Sequence, residues 1–402
     1  MKSSRYLAAA LALAVLPLAL AVARPSQPSR YLVVWAMEVH NPHAHYSLTP
    51  GGTAPLGLGR DFLAVYDLAP SAKAPAKLVA MLPAGPASFV HHTNYALPPN
   101  GILYANDWLG NRTYVFDLRN PLRPALLRQF RSVGAYGWPH SFAYLPNHDT
   151  LATFQFAGGF NHAPGGLVEF GPGGQVVRSS SAAVEGYPYI RLYSLAVVAS
   201  LNRVVTGSAP MAAGSHKSRV VQIWRLSDLK LLKTLELPGG ATNAFEPRLL
   251  ADGKTVVVPS TDCNLFLVRG LGGRNPSLEH IFNFGYTSCD VPAVAGNYYL
   301  QTSTRGEALV SLDVSDPAHP RLVNRLALPK GDKAHWVAVE PGGTRVAITG
   351  FGAMITQVLF ASLDRHSGQL RLEPQTLELG TRSWPDGWHG AAIPHAAIFT
   401  NP

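Results

Sequence analysis

Four histidines in this chain each begin a short strand-like stretch of similar pattern, and they are the best candidates for chemistry. These residues are His92, His140, His335 and His395. In the same alignment, the equivalent position of the intervening stretches holds Tyr193, Glu246 and Asp290. The chain has 15 histidines, so four of them at one repeated position are not expected by chance.

Imidazole is a favoured ligand of first-row transition metals, and three or four imidazoles with an open position suit redox or Lewis-acid chemistry. The pattern therefore predicts a metal site near the four histidines. Its ligands would be His92, His140, His335 and His395. Glu246 and Asp290 are expected to accept hydrogen bonds from the imidazoles, to orient them and to move protons. The alternative is a set of polar residues that line a hydrated channel and bind no metal.

His91 is a special case among the histidines because it directly precedes His92. Adjacent residues of a regular strand point to opposite faces. His91 is therefore predicted to join the metal ligands only if the strand begins irregularly. The sequence leaves both possibilities open.

Histidines far apart in sequence can meet at one site only if the repeats that carry them close into a ring. A second marker accompanies the histidine position: an apolar strand, often ending in an acidic residue, that recurs at roughly 45–55 residue intervals, as propeller blades do. It occurs at residues 62–68, 114–118, 167–170, 221–226, 265–268, 309–313 and 357–360. Seven copies predict a seven-bladed β-propeller in which each histidine position begins an innermost strand.

Each blade is expected to contain four short strands, of which the first two are joined by a turn containing glycine or asparagine. Such turns occur at residues 99–101, 146–149, 251–254 and 341–343. The stretch Tyr31–Trp35 is predicted to close the ring by pairing with the C-terminal blade. The loops after the second strands should form a partly apolar mouth at the histidine end. With no long helix indicated, residues 24–402 are predicted to form one all-β domain.

The first 23 residues have the features of a secretory signal peptide. Lys2 and Arg5 precede an apolar run from Leu7 to Leu20, and Ala21-Val22-Ala23 form a small-residue cleavage site. The run is shorter than the roughly 20 residues that a membrane span requires. We therefore expect residues 1–23 to be removed and the mature chain to be periplasmic or secreted, with no membrane anchor.

The formal net charge of +9 would ordinarily suggest nucleic acid as a partner. Export and the lack of an arginine-rich run argue against that partner. We instead expect a monomer with a basic surface that acts on a small-molecule substrate.

The chain contains two cysteines, Cys263 and Cys289. In an oxidising compartment, two cysteines can form one disulfide. The alternative is that Cys289 remains a free thiol close to the metal. The sequence does not decide between these two states.

Several segments resemble the selenium-binding protein and methanethiol oxidase family. The stretch His91-His92-Thr93 is similar to the family's His-His-Ser segment, and residues 313–322, 368–374 and 391–395 resemble family segments in the same order. The resemblance implies a seven-bladed propeller and, for the oxidase branch, copper held by histidines near the axis. The matching ligand positions are His91, His92, His140 and His395, whereas His335 depends on the repeat alone. The family's paired cysteines are replaced here by residues 94–97, so selenium binding by that route is not expected.

The leading hypothesis is an exported, copper-dependent oxidase similar to methanethiol oxidases, with a small substrate for which sulfur compounds are the first candidates. One alternative is a non-haem iron oxygenase, because four-histidine sites in seven-bladed propellers also resemble those of carotenoid oxygenases. Another is a non-enzymatic propeller that binds a metal or a protein partner, since a fold does not determine a function.

Overall fold

The regular structure of the chain is almost entirely β, as a computed structural model shows for residues 30–39, 58–68, 76–86, 89–212, 214–350, 355–380 and 382–401. Within these residues the only helical segments are two short 3-10 turns, Ala199–Leu201 and Pro238–Gly240. None of the helices described is long and apolar enough to cross a membrane. The predicted signal peptide, residues 1–23, lies outside the described part of the chain.

Seven antiparallel sheets form the predicted seven-bladed β-propeller. The chain enters through three strands of the last blade, here called blade 7. They are β1 (Tyr31–Val39), β2 (Leu58–Asp67) and β3 (Lys77–Pro86).

Blades 1 to 3 follow in order, each starting with its innermost strand. Blade 1 consists of β4 (Val90–Thr93), β5 (Ile102–Asp107), β6 (Arg112–Asp117) and β7 (Ala125–Phe130). Blade 2 consists of β8 (Tyr136–Tyr144), β9 (Thr150–Ala157), β10 (Gly166–Phe170) and β11 (Val176–Ser181). Blade 3 consists of β12 (Leu192–Val198), β13 (Arg203–Ser208), β14 (Val220–Arg225) and β15 (Lys230–Glu236).

Blades 4 to 6 have the same strand order. Blade 4 consists of β16 (Arg248–Leu249), β17 (Val256–Pro259), β18 (Asn264–Arg269) and β19 (Ser277–Asn283). Blade 5 consists of β20 (Ala293–Ala295), β21 (Tyr298–Ser303), β22 (Ala308–Asp313) and β23 (Arg321–Ala327). Blade 6 consists of β24 (Ala334–Val339), β25 (Arg345–Gly350), β26 (Gln357–Leu363) and β27 (Leu370–Glu378).

Blade 7 is completed by the C-terminal strands β28 (Arg382–Ser383) and β29 (His389–Phe399). β29 pairs antiparallel with β1, from Leu32 opposite Phe399 to Val39 opposite Ala391. The predicted closing strand is therefore confirmed, and it extends beyond Trp35. The innermost strands of adjacent blades are in contact all around the ring, and β29 returns to contact β4.

The strands differ in burial according to their place in the blade. The middle strands are packed between neighbouring blades and are buried on both faces, which explains their continuous apolar runs. The outermost strands β7, β11 and β19 are largely exposed. The predicted turns are present, and Gly101 has a φ of +71° in the first of them. A side chain there would both strain the backbone and approach Arg119 closely.

Cys263 and Cys289 form a disulfide that connects blades 4 and 5. Cys263 lies in the loop between β17 and β18, and Cys289 lies shortly before β20. Of the two alternatives that the sequence left open, the disulfide is confirmed, and the free thiol beside a metal is wrong.

Candidate metal centre

Irregular pairing of the innermost strands brings the histidine position to the propeller axis. The register of pairing shifts at this position in β4, β8, β12, β24 and β29. A β-bulge of this kind breaks the strict alternation of faces and re-aims a side chain. The bulges contain His91 and His92, His140, Tyr193, His335 and His395.

The bulge in β4 decides the orientation of His91. Val90 pairs with Asp107 and Thr93 pairs with Ala105, so His91 and His92 share the single opposing residue Asn106. The rings of His91 and His92 consequently stack, with centroids 4.1 Å apart and planes inclined by 7°. The strand begins irregularly, which is the condition under which His91 joins the other histidines.

All five histidines lie together in a buried cluster, which we call the histidine cluster. Ring centroids are 4.3 Å apart for His92 and His140, 4.5 Å for His91 and His395, and 4.7 Å for His335 and His395. Two trios have ligand atoms within 4.8 Å of one another: His91 with His92 and His140, and His91 with His335 and His395. Each histidine is at most 5% exposed. The arrangement is able to hold a metal ion.

Four imidazoles of the histidine cluster are in an environment that favours their neutral form. Burial, and then the proximity of other imidazoles, holds the pKa well below its usual range in four members. They are His91, His92, His140 and His395. A neutral imidazole has a lone pair free to bind a metal, so the environment favours the ligating form.

Several ring nitrogens of the cluster fit a metal better than they fit a metal-free core. Both nitrogens of His91 and the Nε2 atoms of His92 and His140 have no hydrogen-bond partner among the described residues. A buried polar atom without a partner costs about 1–3 kcal/mol. Metal ligation would remove that cost. The donor set consists of imidazole nitrogens, which suits copper, zinc, iron or nickel.

The two carboxylates predicted to support the ligands lie beside the cluster. Oε1 of Glu246 is 3.6 Å from Nδ1 of His92. Oδ1 of Asp290 is 3.2 Å from Nδ1 of His335. Oδ2 of Asp290 accepts a hydrogen bond of 3.0 Å from the Thr304 backbone N–H. Asp290 can therefore orient the imidazole of His335, whereas Glu246 lies just beyond hydrogen-bond distance of His92.

Tyr193, the remaining residue of the predicted position, covers one side of the cluster. Its ring centroid is 3.6 Å from that of His140. Burial, followed by the charges of Glu246 and Asp290, raises the pKa of its hydroxyl well above the usual value. Tyr193 is therefore a neutral phenol at pH 7.

Tyr95 and Arg248 complete the site and were not predicted from the sequence. The Tyr95 hydroxyl donates a hydrogen bond of 2.5 Å to Oε2 of Glu246, and Nη1 of Arg248 donates one of 2.7 Å to the same oxygen. The Arg248 guanidinium lies 3.8 Å from the centre of the Tyr95 ring. The Tyr95 ring also stacks on Trp336, with centroids 5.2 Å apart. The only sequence signal was proximity: Tyr95 follows His92 by three residues, and Arg248 follows Glu246 by two.

Threonines on the second strands hold the bulged main chain of the next blade. Oγ1 of Thr153 donates to the carbonyl of Tyr193 at 2.8 Å, and Oγ1 of Thr302 donates to the carbonyl of His335 at 3.0 Å. Thr349 makes the equivalent bond to the carbonyl of His395. The histidine position is thus fixed from the neighbouring blade.

Comparison with known proteins shows likeness to solved propeller structures. No protein-family model and no curated protein matches the chain. A hypothetical selenium-binding protein from Sulfolobus tokodaii is 15% identical, with a TM-score of 0.71 over 94% of each chain. The periplasmic gluconolactonase of Pseudomonas aeruginosa is 14% identical, with a TM-score of 0.63 over 92% of this chain and 100% of that one. A putative 6-phosphogluconolactonase from Bacteroides uniformis is 9% identical, with a TM-score of 0.65 over 93% and 100%.

At these identities the likeness concerns the fold alone. It confirms, at the level of fold, the predicted resemblance to selenium-binding proteins. The fold and the site together define a seven-bladed propeller with a buried histidine cluster that could bind a metal.

Proposed function

We propose that this chain is a copper-dependent oxidase of a small substrate, related in mechanism to methanethiol oxidases. The observation that carries the proposal is the histidine cluster: five buried imidazoles, of which His91, His92 and His140 have ring nitrogens without a hydrogen-bond partner in the described part of the chain. The resemblance of His91-His92-Thr93 to the oxidase family supports copper over other metals.

The donor chemistry also favours copper. For a given set of nitrogen donors, divalent copper binds most tightly among the first-row metals. Cys263 and Cys289 are paired in the disulfide, so they supply no thiolate to select a softer ion. A bound copper ion would supply one-electron redox chemistry and Lewis acidity at the propeller axis.

The surrounding residues would orient the ligands and hold protons. Asp290 accepts from the imidazole N–H of His335 and thereby sets which nitrogen of that ring faces the cluster, while the Glu246 carboxylate lies 3.6 Å from Nδ1 of His92. The hydrogen bond from the Tyr95 hydroxyl holds the Glu246 carboxylate in place beside His92. Arg248 compensates the buried charge of Glu246.

The burial of the ligands favours a small substrate. The ligands are at most 5% exposed, so a large molecule cannot reach them in this conformation. Trp138 lies two residues before His140 on β8, and its ring packs on Phe156 and Phe160 at centroid distances of 5.4 and 5.3 Å.

The proposal includes export of the mature chain as a monomer to the periplasm or the medium. The features of residues 1–23 support it. The disulfide supports it as well, because disulfides persist in oxidising compartments. The structurally similar gluconolactonase of Pseudomonas aeruginosa is likewise a periplasmic protein.

The test is the metal content of untagged protein purified from the periplasm, measured by elemental analysis and paramagnetic resonance. We expect bound copper, and less of it in a His92→Ala/His140→Ala double variant. The matched control is His280→Ala/His319→Ala, which removes two exposed histidines and should keep the metal. Oxygen consumption with small thiols follows as the activity assay.

The outcomes separate the candidate functions. Stoichiometric iron would support the oxygenase alternative instead. Hydrolysis of lactones without oxygen consumption would support an activity like that named for the gluconolactonases. Absence of metal after reconstitution with copper or iron would refute both metal-dependent enzymes.

A further inference from the structure

We infer that the histidine cluster holds two adjacent metal ions, bridged by the imidazole of His91. The inference rests on the metal binding proposed above and deepens it. One ion would be bound by His91, His92 and His140, and the other by His91, His335 and His395. These are the two trios whose ligand atoms lie within 4.8 Å of one another.

Distances within the cluster separate the histidines into two pairs. The centroids are 4.3 Å apart for His92 and His140, and 4.7 Å apart for His335 and His395. Across the pairs, His92 is 6.2 Å from His335 and 5.7 Å from His395. The ligand atoms that lie within 4.8 Å of one another form two trios with His91 in common, rather than one set of five. The five imidazoles therefore fit two ions that share His91.

His91 has the chemistry of a bridge. It is fully buried, and neither Nδ1 nor Nε2 has a hydrogen-bond partner among the described residues. An imidazole that binds one metal normally donates its other N–H to a carboxylate, a carbonyl or water. His91 lacks such a partner on either side. Binding of a second ion would release the remaining ring proton and leave an imidazolate with one metal on each nitrogen.

The other histidines of the first trio have the pattern of terminal ligands. Nδ1 of His140 lies 3.0 Å from Oγ of Ser141, and Nδ1 of His92 lies 3.3 Å from the same hydroxyl. Their Nε2 atoms have no partner in the described structure. Each of these rings therefore offers one nitrogen to a metal, whereas His91 offers two.

The carboxylates follow the same division into two groups. Glu246 lies beside His92 of the first trio, and Asp290 lies beside His335 of the second. A metal site commonly has its own carboxylate that orients a ligating imidazole. One carboxylate for each trio is the arrangement expected of two ions.

The test uses the untagged, mature chain, stripped of metal and then titrated with Cu²⁺ in air. We expect two copper ions per chain by elemental analysis. The paramagnetic resonance signal should integrate to less than the bound copper, because an imidazolate couples the spins of the two ions. His91→Ala should restore the full signal of whatever copper remains bound. His92→Asn/His140→Asn and His335→Asn/His395→Asn should each retain one copper per chain.

The results also separate this inference from the proposed function. One copper per chain, lost in both double variants, would refute the bridge and leave the copper enzyme intact. Two coppers with a full signal in the wild type would refute His91 as the bridge. No copper in any form would refute both proposals. If circular dichroism shows that a variant is unfolded, the stoichiometry and signal of the wild type decide alone.

Discussion

The ring of equivalent positions around the axis has two unlike halves. Blades 6, 7, 1 and 2 are consecutive around the ring and supply all five histidines, whereas blades 3, 4 and 5 supply Tyr193, Glu246 and Asp290. The innermost strands of blades 4 and 5 are also the shortest, Arg248–Leu249 and Ala293–Ala295. The one disulfide joins these two blades.

The difference indicates that the two halves of one repeated architecture have different roles at the site. On the histidine side, which is blades 6, 7, 1 and 2, bulged strands bring the imidazoles to the axis. Hydrogen bonds from the neighbouring blade hold the main chain of these bulges in place. On the acidic side, which is blades 3, 4 and 5, irregular main chain carries Glu246 and Asp290, and a disulfide joins blades 4 and 5. The two halves should therefore respond differently to substitution, both in unfolding free energy and in metal binding.

The largest expected effect is acid destabilisation of the metal-free protein, which arises from the histidine side. The lowered pKa values of His91, His92, His140 and His395 mean that the unfolded chain binds more protons than the folded chain below pH 6.5. Stability should level off well above pH 6.5 and fall as the pH drops through 6.5, with a slope that approaches about 1.4 kcal/mol per pH unit for each histidine. Urea unfolding between pH 5.5 and 7.5 measures this.

The acid stability of a variant at a buried histidine can be compared with that of a variant at an exposed one. His140→Gln should reduce the slope of unfolding free energy against pH, and His319→Gln should leave it unchanged. A flat profile for the wild type would show that the cluster does not resist protonation.

The next effect concerns the acidic side. Cys263→Ser/Cys289→Ser removes a cross-link between residues 26 apart and should cost about 3 kcal/mol of unfolding free energy. The number of copper ions bound should remain that of the wild type, because the ligands are in other blades. Loss of copper in this variant would mean that the two halves are not independent.

A smaller effect is expected from the carboxylates of the acidic side, because they act on metal ligands of the histidine side. Glu246→Gln and Asp290→Asn should each weaken metal binding about 10–100-fold without changing the number of ions, as expected for residues that orient ligands. Competition with a chelator measures the affinity. Glu279→Gln, which alters an exposed carboxylate of blade 4, is the control and should have no effect on affinity.

The smallest effect tests the support of a bulge from the neighbouring blade. Thr302→Val removes a hydroxyl whose single proton is shared between the carbonyls of His335 and Val291, and the His335 carbonyl keeps a second bond from the Val291 N–H. The expected loss is about 1 kcal/mol of unfolding free energy. Thr376→Val, at an exposed position, should be neutral; equal losses in both variants would indicate that the hydroxyl of Thr302 has no special role.

Much of the fold could be predicted because its signals are local and repeated. Seven apolar segments at similar intervals, turns such as residues 99–101, and the closing strand at Tyr31 are all visible in the sequence. The position of each innermost strand followed from aligning His92, His140, His335 and His395. Each of these signals is weak alone, and their repetition along the chain is what predicts the fold.

The rest of the site depends on long-range geometry that no local pattern encodes. The orientation of His91 depends on a one-residue shift in the pairing of β4 with β5. The Tyr95–Glu246 hydrogen bond joins residues 151 positions apart in the chain. The pairing of Cys263 with Cys289 likewise depends on how two blades approach. These features became visible only with the strands in place.

Blade 7 makes the site dependent on completion of the whole ring. His395 belongs to β29, which is held in place by β1, and the Thr400 hydroxyl donates to the Tyr31 carbonyl across 369 positions of sequence. A chain still emerging from the ribosome or a translocation channel therefore lacks part of the ligand set, however well its first blades have folded. Metal would therefore bind late in biogenesis. A chain with bound metal would be one in which the N-terminal and C-terminal strands of blade 7 have already paired.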